Sequence, residues 1–205
     1  MKKISEKTIE RLSLYRRTLM EIMNETEFVF SHQLAKRLHI TPVQVRRDLM
    51  LIGYTGTLRK GYNVKDLLNH LYNLLDAESV TLVCVVGMGN LGRAITGYFS
   101  SRSSKLKIVA SFDIDIDKVN KFISGVKCYP VSDMFNVIQK EKIEIGIITT
   151  SPESANIACE QLVAAGIKGI MNYTPVKLKV PKHVFLEEYD MITSLEKIAF
   201  YIRQH

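Results

Sequence analysis

The 205-residue chain has no tryptophan, five prolines and three cysteines. Cys84, Cys128 and Cys159 are odd in number and far apart, which fits neither a disulfide framework nor a zinc site. Cys84 lies inside an apolar run and reads as a small buried hydrophobe. The five histidines show no metal-ligand spacing, so no metal is expected. No apolar run approaches the ~20 residues a helix needs to span a bilayer. Met1-Lys2-Lys3 leads into a polar segment without the apolar core of a signal peptide. These absences predict a protein of the bacterial or archaeal cytoplasm, where thiols stay reduced, with no membrane-spanning segment.

Excess charge is missing from most of the chain as well. Residues 66–205 hold 15 Lys and Arg against 15 Asp and Glu, whereas residues 1–65 hold 13 against 6. The whole net charge of +7 therefore sits in the first third, which points to an anionic partner there, either nucleic acid or a membrane surface. A hydrophobic fraction of 46% with mean hydropathy near zero describes an ordinary globular protein, long enough for two small domains.

The basic head reads as helical. Ser5 and Ser13 are two possible starts for a first helix carrying Leu12, Tyr15, Leu19 and Ile22 at helical spacing. Ser31 is expected to cap a second helix with Leu34, Ala35 and Leu38 facing inward. After a turn at His39-Ile40, Thr41-Pro42-Val43-Gln44 has the pattern of a capping box with proline at the first helical position. The helix it opens carries Val45, Leu49 and Ile52 on one face and Gln44, Arg46 and Arg47 elsewhere. Three helices with a short turn before the last make a helix-turn-helix. Two glycines, aromatic residues and Arg59-Lys60 across 54–62 suggest a β-hairpin, the wing of a winged helix. Asn63 with Asp66 starts a fourth helix, and 76–79 reads as the domain boundary. Arg46, Arg47, Arg59 and Lys60 would neutralise phosphates, and Gln44 would reach a base edge. The plainer alternative is a solvated charged face.

From residue 80 onward, strands (80–86, 107–112, 143–149, 168–172) alternate with helices beginning near Asn90, Asp115, Ser132 and Pro152, implying a parallel sheet. The first strand runs into Gly87-Met88-Gly89-Asn90-Leu91-Gly92, and Asp113 ends the next strand. Glycines there make a tight turn, let the backbone approach a pyrophosphate and leave it on the following helix N-terminus. Asp113 is expected to accept hydrogen bonds from both ribose hydroxyls and to repel a 2′-phosphate. No Arg follows it directly, so NAD(H) is preferred over NADP(H). The alternative is a Rossmann-like domain for another ligand. Residues 174–184 read as a loop, followed by a helix near 191–203 with the stripe Ile192, Leu195, Ile198, Ala199 and Ile202. That helix suits packing on its own sheet or exchange with a second subunit. Asp190 before it reads as an N-cap, and Tyr98 as ordinary packing.

Together these blocks resemble the Rex family of redox-sensing transcriptional repressors over nearly the whole chain. The carriers are Arg11-Leu12-Ser13-Leu14-Tyr15-Arg16-Arg17, Gln44-Val45-Arg46-Arg47-Asp48-Leu49, Gly61-Tyr62, the glycine motif with Arg93-Ala94, Phe112-Asp113-Ile114-Asp115, Gly166-Ile167-Lys168-Gly169-Ile170 and Asn172-Tyr173-Thr174-Pro175-Val176. The resemblance implies an α/β chain: a winged helix-turn-helix over 1–78, a Rossmann-like parallel-sheet domain over 79–189 and a swapped dimerisation helix over 190–205. It implies a homodimer on an inverted-repeat operator in double-stranded DNA, released when NADH rather than NAD+ is bound. The glycine motif and Asp113 would hold the adenosine half, with Thr149, Thr150, Pro152 and Asn172 nearer the nicotinamide end. Arg17, Tyr98 and Asp190 match polar family positions suited to couple the head to the cofactor, with Asp190 changing partner between the other two. Residues 50–58 lose the family's acidic and some aromatic residues, Arg59-Lys60 is shifted from the usual wing pair, and Ser13 replaces a usual proline. A paralogue with an altered DNA target is one alternative. A small NAD-dependent oxidoreductase is another, although few residues remain for a substrate domain and no His or Lys is poised for acid–base work. A binding module for a coenzyme A derivative is the third.

Overall fold

The computed structural model describes residues 4–57, 59–76, 79–100 and 105–204, and the chain divides into two compact units, 1–78 and 79–205. Leu58 of the expected hairpin, residues 77–78 of the expected boundary and residues 1–3 lie outside the described residues.

In the first unit, α1 (Glu6–Ile22) begins after Ser5, whose hydroxyl accepts the Thr8 N–H. Ser13 lies within the helix. Leu12, Tyr15, Leu19 and Ile22 recur every three or four residues and form the buried face. A two-residue strand, β1 (Phe28–Val29), follows; it is too short to have a period and had no signal in the sequence. α2 (Ser31–Leu38) corrects one expectation: Phe30, not Ser31, is the N-cap, and the Gln33 side-chain Oε1 accepts the Phe30 N–H at 2.7 Å. His39, in the left-handed region at φ 53°, ends the helix. α3 (Pro42–Leu51) is capped by Thr41 as expected, its hydroxyl accepting the Gln44 N–H at 3.1 Å. The reciprocal half of the box is absent because the Gln44 side chain reaches Asp48 instead. The hairpin expected over 54–62 takes the form of one antiparallel bridge, Thr57 to Gly61, with 2.8 Å hydrogen bonds in both directions. Gly61 sits at φ 78°, where a Cβ would stand 2.5 Å from the Val29 carbonyl oxygen. The chain then forms β2 (Tyr62–Asn63), antiparallel to β1. Asn63 caps α4 (Val64–Leu75), which buries Val64, Leu67, Leu68 and Leu71.

The second unit is a seven-stranded sheet flanked by helices. Its elements are β3 (Thr81–Val86), α5 (Asn90–Ser100), β4 (Leu106–Asp113), β5 (Phe122–Ile123), β6 (Val126–Pro130), α6 (Met134–Glu141), β7 (Ile145–Ile148), α7 (Pro152–Ala164), β8 (Gly169–Asn172), β9 (Phe185–Glu188) and α8 (Met191–Ile202). The sheet order is β5-β6-β4-β3-β7-β8-β9, and all but β5 run parallel. Taken in chain order, the six parallel strands lie 3-2-1-4-5-6, the doubly wound arrangement whose direction reverses between β3 and β7. Cys84 and Val86 face one core with Ile138, Ala158 and Leu162. Val83 and Val85 face the other with Ile95 and Phe99. A central parallel strand needs apolar residues on both faces, which is why it reads as a continuous hydrophobic run.

No helix forms near Asp115. The Asp115 side chain accepts the Asp117 N–H at 2.9 Å and its carbonyl accepts from Lys118, so 116–120 turn back on themselves. The chain then makes the β5–β6 hairpin through Ser124 and Gly125, both at positive φ (50° and 80°), a pairing suited to a two-residue hairpin turn. No described residue of α8 is buried. Leu195 and Ile202 are 66% and 70% exposed, so its apolar stripe does not pack on the sheet that precedes it.

One buried carboxylate ties the first unit together. Asp48, 3% exposed on α3, accepts from Arg11 Nε (2.6 Å) and Nη2 (2.9 Å), Tyr15 Oη (2.7 Å) and Gln44 Nε2 (2.8 Å). It thereby pins α3 to α1. Burial pushes its pKa up, but the bonds from Arg11, Tyr15 and Gln44 outweigh it and hold the group below the usual carboxylate range. A carboxyl depressed by folding stabilises above its unfolded pKa, about 4, and loses that contribution as pH falls through its folded value. Asp48→Asn is expected to lower stability at neutral pH by about 2–4 kcal/mol, because Arg11 is left partly buried without its charge partner. Unfolding followed by far-ultraviolet circular dichroism should show that gap closing on acidification below about pH 4; a gap independent of pH would contradict the assignment.

Candidate functional site

The reversal between β3 and β7 opens a cleft of about 620 Å³ at the carboxyl ends of β3, β4 and β7. In doubly wound sheets this is where the two diverging crossovers leave room for a ligand. Gly87 and Gly89 form one wall and Thr149, Thr150 and Ser151 another; Asp113 and Ile114 close one end. Ile157 and Ala158 of α7, with Phe112 and Val131, make an apolar side.

The glycine turn is shaped for close approach. Gly87 stands at φ 94°, and a Cβ there would lie 2.9 Å from the Thr149 backbone. Gly92, in the first turn of α5, has the Gly87 carbonyl oxygen 2.0 Å from the place of its absent Cβ, so helix and turn touch backbone to backbone. Gly89 is different: nothing lies within 4 Å of where its Cβ would be, and it lines the cleft. That bare backbone, next to the unpaired N–H groups opening α5 at Asn90, fits a pyrophosphate. Met88 is fully buried; its N–H donates to Asp113 Oδ2 at 2.7 Å, locking the turn to the end of β4. Leu91 continues the first turn of α5. Thr149 lines the cleft, but its hydroxyl donates inward to the carbonyls of Gly87 (2.7 Å) and Val86 (3.1 Å).

Met88, Asn90, Leu91 and Gly92 belong to the glycine turn and the start of α5 but not to the cleft lining, and of the four residues expected near the nicotinamide end two, Pro152 and Asn172, also stand outside it. Pro152 is the first residue of α7, and its neighbours Ser151 and Ser154 form the wall instead. Asn172 is fully buried. Its Nδ2 donates to the Val176 carbonyl at 2.8 Å, and its Oδ1 accepts from Thr174 N (3.0 Å) and Oγ1 (2.8 Å). The side chain pins the loop after β8.

Lys118 is a cleft residue that sequence reasoning missed. Its Nζ lies 3.2 Å from Asp113 Oδ2 and 3.1 Å from Asp115 Oδ2. The hydrogen bond to Asp115, more than that to Asp113, raises its pKa and keeps it cationic. A helix from Asp115 would have scattered these three groups; the turn at 116–120 brings them together. Among the described residues, no cluster of three or more His, Cys, Asp or Glu could hold a metal, and no helix is long and apolar enough to cross a membrane.

On the first unit, Arg47, Arg59 and Lys60 are exposed, and Lys60 Nζ rests 5.3 Å from the Phe28 ring centre. Arg46 is exposed too, but its Nη1 donates to Ser31 Oγ at 3.0 Å and bridges α3 to α2. Gln44 spends its amide nitrogen on Asp48. Of the expected coupling residues, Arg17 is exposed on α1, and Tyr98 is half-exposed on α5 with an edge contact to Phe99. Asp190 caps α8, accepting from Thr193 N (3.0 Å) and Oγ1 (2.6 Å).

Comparison with known proteins gives two family matches: "CoA binding domain" over residues 78–176 and "Putative DNA-binding protein N-terminus" over residues 3–49. The redox-sensing transcriptional repressor Rex of Carboxydothermus hydrogenoformans is 38% identical over 203 residues, 98% of each chain. A solved structure of RSP in complex with β-NAD+ and operator DNA superposes with a TM-score of 0.92 at 33% identity, covering 100% of this chain and 94% of that one. RSP in complex with β-NADH gives 0.86 at 32% identity, with 100% and 96% covered.

The glycine geometry separates two substitutions only three residues apart. Gly92→Ala forces a Cβ into the Gly87 carbonyl and should cost about 1–3 kcal/mol, as overpacking does. Gly89→Ala adds a methyl group to open space and should change stability by under about 0.5 kcal/mol. Equal melting temperatures for the two variants would contradict this reading of the turn.

Proposed function

The chain belongs to the Rex family of redox-sensing transcriptional repressors, and from that premise we propose that it holds an operator through its first unit and lets go when its second unit takes up NADH. The observation that carries the reading is the cleft at the β3–β7 reversal, with its bare Gly89 and its carboxylate at the end of β4. It shares a chain with a helix-turn-helix that carries all the excess positive charge. NAD(H) supplies no reaction here; it supplies binding energy that differs between two arrangements of a dimer.

The helices do the positioning. Asp48 fixes α3 on α1, and Arg47, Arg59 and Lys60 offer cations to phosphates on a duplex. With Gln44 drawn toward Asp48, α3 enters the groove less by that amide than the sequence suggested. Two copies would present their α3 helices about 34 Å apart, one DNA turn, to the halves of an inverted repeat. The exposed stripe of α8 would be covered by the second copy, making a homodimer. NADH must favour an arrangement in which that spacing is wrong, since a ligand with equal affinity for both states shifts nothing. By linkage, operator DNA weakens NADH binding by the same factor. Telling NADH from NAD+ rests on the positive nicotinamide ring, whose transfer from water into the protein carries a desolvation cost that the neutral reduced ring does not. Such a protein works where DNA is, in the cytoplasm.

A coenzyme A derivative is the rival for the cleft, given one of the matching family descriptions. Its adenosine carries a ribose phosphate, which the paired carboxylates Asp113 and Asp115 oppose. A dehydrogenase finds no support in the cleft, whose charged lining is these two acids and Lys118.

Asp190 tests the coupling. Asn caps helices as well as Asp does, so Asp190→Asn keeps α8 started while removing the charge available to Arg17. Titration of the operator complex with NADH should leave duplex affinity near wild type and raise the NADH needed for half-release by about tenfold, a coupling change of the usual size. Unchanged release would show that Asp190 is an N-cap and nothing more.

A further inference from the structure

Asp113 has fewer free lone pairs than its expected role requires. A carboxylate offers roughly four acceptor positions. On Oδ2, the Met88 N–H (2.7 Å) and Lys118 Nζ (3.2 Å) fill two; on Oδ1, the Asp115 N–H (2.9 Å) fills a third. While Lys118 holds its place one position remains for a ligand, so Asp113 accepts from one hydroxyl of a ribose. Lys118 has the complementary surplus. An ammonium carries three donors, and Asp113 and Asp115 engage two. The group lines the cleft and is partly exposed to it.

Resting on the reading that the cleft takes NAD(H), we propose that Lys118 is the second ribose ligand and, with Asp113, the residue that decides between NADH and NADPH. Lys118 donates its third hydrogen to the hydroxyl that Asp113 leaves free. Two carboxylates around one ammonium leave the corner with a net charge of −1, which repels a 2′-phosphate. Without the Asp113 charge the corner is neutral, and Lys118, partly freed, donates to a phosphate oxygen. Lys118 is therefore a hydroxyl ligand in the wild type and a latent phosphate ligand one substitution away. An ordinary acidic discriminator excludes NADPH on its own; here the exclusion is held against an adjacent cation.

The test is a double-mutant cycle on the full-length protein, with NADH and NADPH dissociation constants read by fluorescence titration. Lys118→Met should weaken NADH by about tenfold, the loss of one charge-assisted hydrogen bond. Lys118→Arg keeps the charge and a donor and should lose less NADH affinity than Lys118→Met, which controls for folding and charge. Asp113→Asn should gain about tenfold or more in NADPH affinity, and Asp113→Asn with Lys118→Met should lose that gain. If Lys118 only props up Asp113, the NADPH gain survives in the double variant, and the proposal fails. It also fails if Lys118→Met binds NADH as the wild type does. A wild-type chain that binds no NADH would overturn the underlying reading first, and this proposal with it.

Discussion

The hydrogen bond from the Met88 N–H to the Asp113 carboxylate joins the glycine turn after β3 to the end of β4, and the shape of the cleft follows from it. It fixes where the backbone of Gly87 and Gly89 lies, and therefore where α5 begins. It also commits part of Asp113 to the protein itself, so that Lys118 and the turn at 116–120 become part of the site. Asp48 plays the matching part in the first unit, where four donor contacts from α1 and α3 converge on one buried group. In both units a carboxylate buried at a junction is satisfied by the chain's own donors, the condition under which a buried charge is tolerable. Both belong to helix–helix or turn–strand joints.

Elements with strong periodicity were readable from the residues alone. Leu12, Tyr15, Leu19 and Ile22 give α1; the run from Leu82 to Val86 gives β3; and Val64, Leu67, Leu68 and Leu71 give α4. The shortest elements were not readable. β1 and β5 span two residues each, too few for a period to rise above composition, whereas the four-residue β7 and β8 showed as apolar runs. The helix expected near Asp115 failed because a side chain competed with the helical backbone for the N–H two residues on, the usual effect of Asp at a turn. Side-chain partners were not legible even at short range, because residue types alone do not say which of several donors and acceptors pair. Gln44 looked like a base reader until Asp48 claimed its amide, and Asn172 looked like a cleft residue until Thr174 and Val176 enclosed it. Asp48 carried one visible signal, an acidic residue three positions after Val45 on the face that packs inward.

The family assignment and the geometry constrain each other. Membership supplies the class of protein; the residues decide how this chain can carry it out. A sensing repressor needs a cleft that grips a dinucleotide without consuming it, a basic surface whose affinity is electrostatic, and a joint between copies that both ligands can bias. In the function proposed above, the open backbone at Gly89, the net +7 of the first third and the exposed stripe of α8 take these three parts in turn. None of these alone implies coupling. Coupling requires that NADH and DNA prefer different arrangements of the same dimer, and it is reciprocal in free energy.

The most direct test of that claim is the binding of the full-length protein to a labelled duplex carrying a Rex-type inverted repeat, at one fixed salt concentration, titrated with NADH and separately with NAD+. Salt must be fixed because phosphate contacts alone make affinity fall steeply with ionic strength. Binding should be tight, abolished by NADH and left in place by NAD+. Release by both nucleotides at equal concentration, or by neither, would contradict the claim.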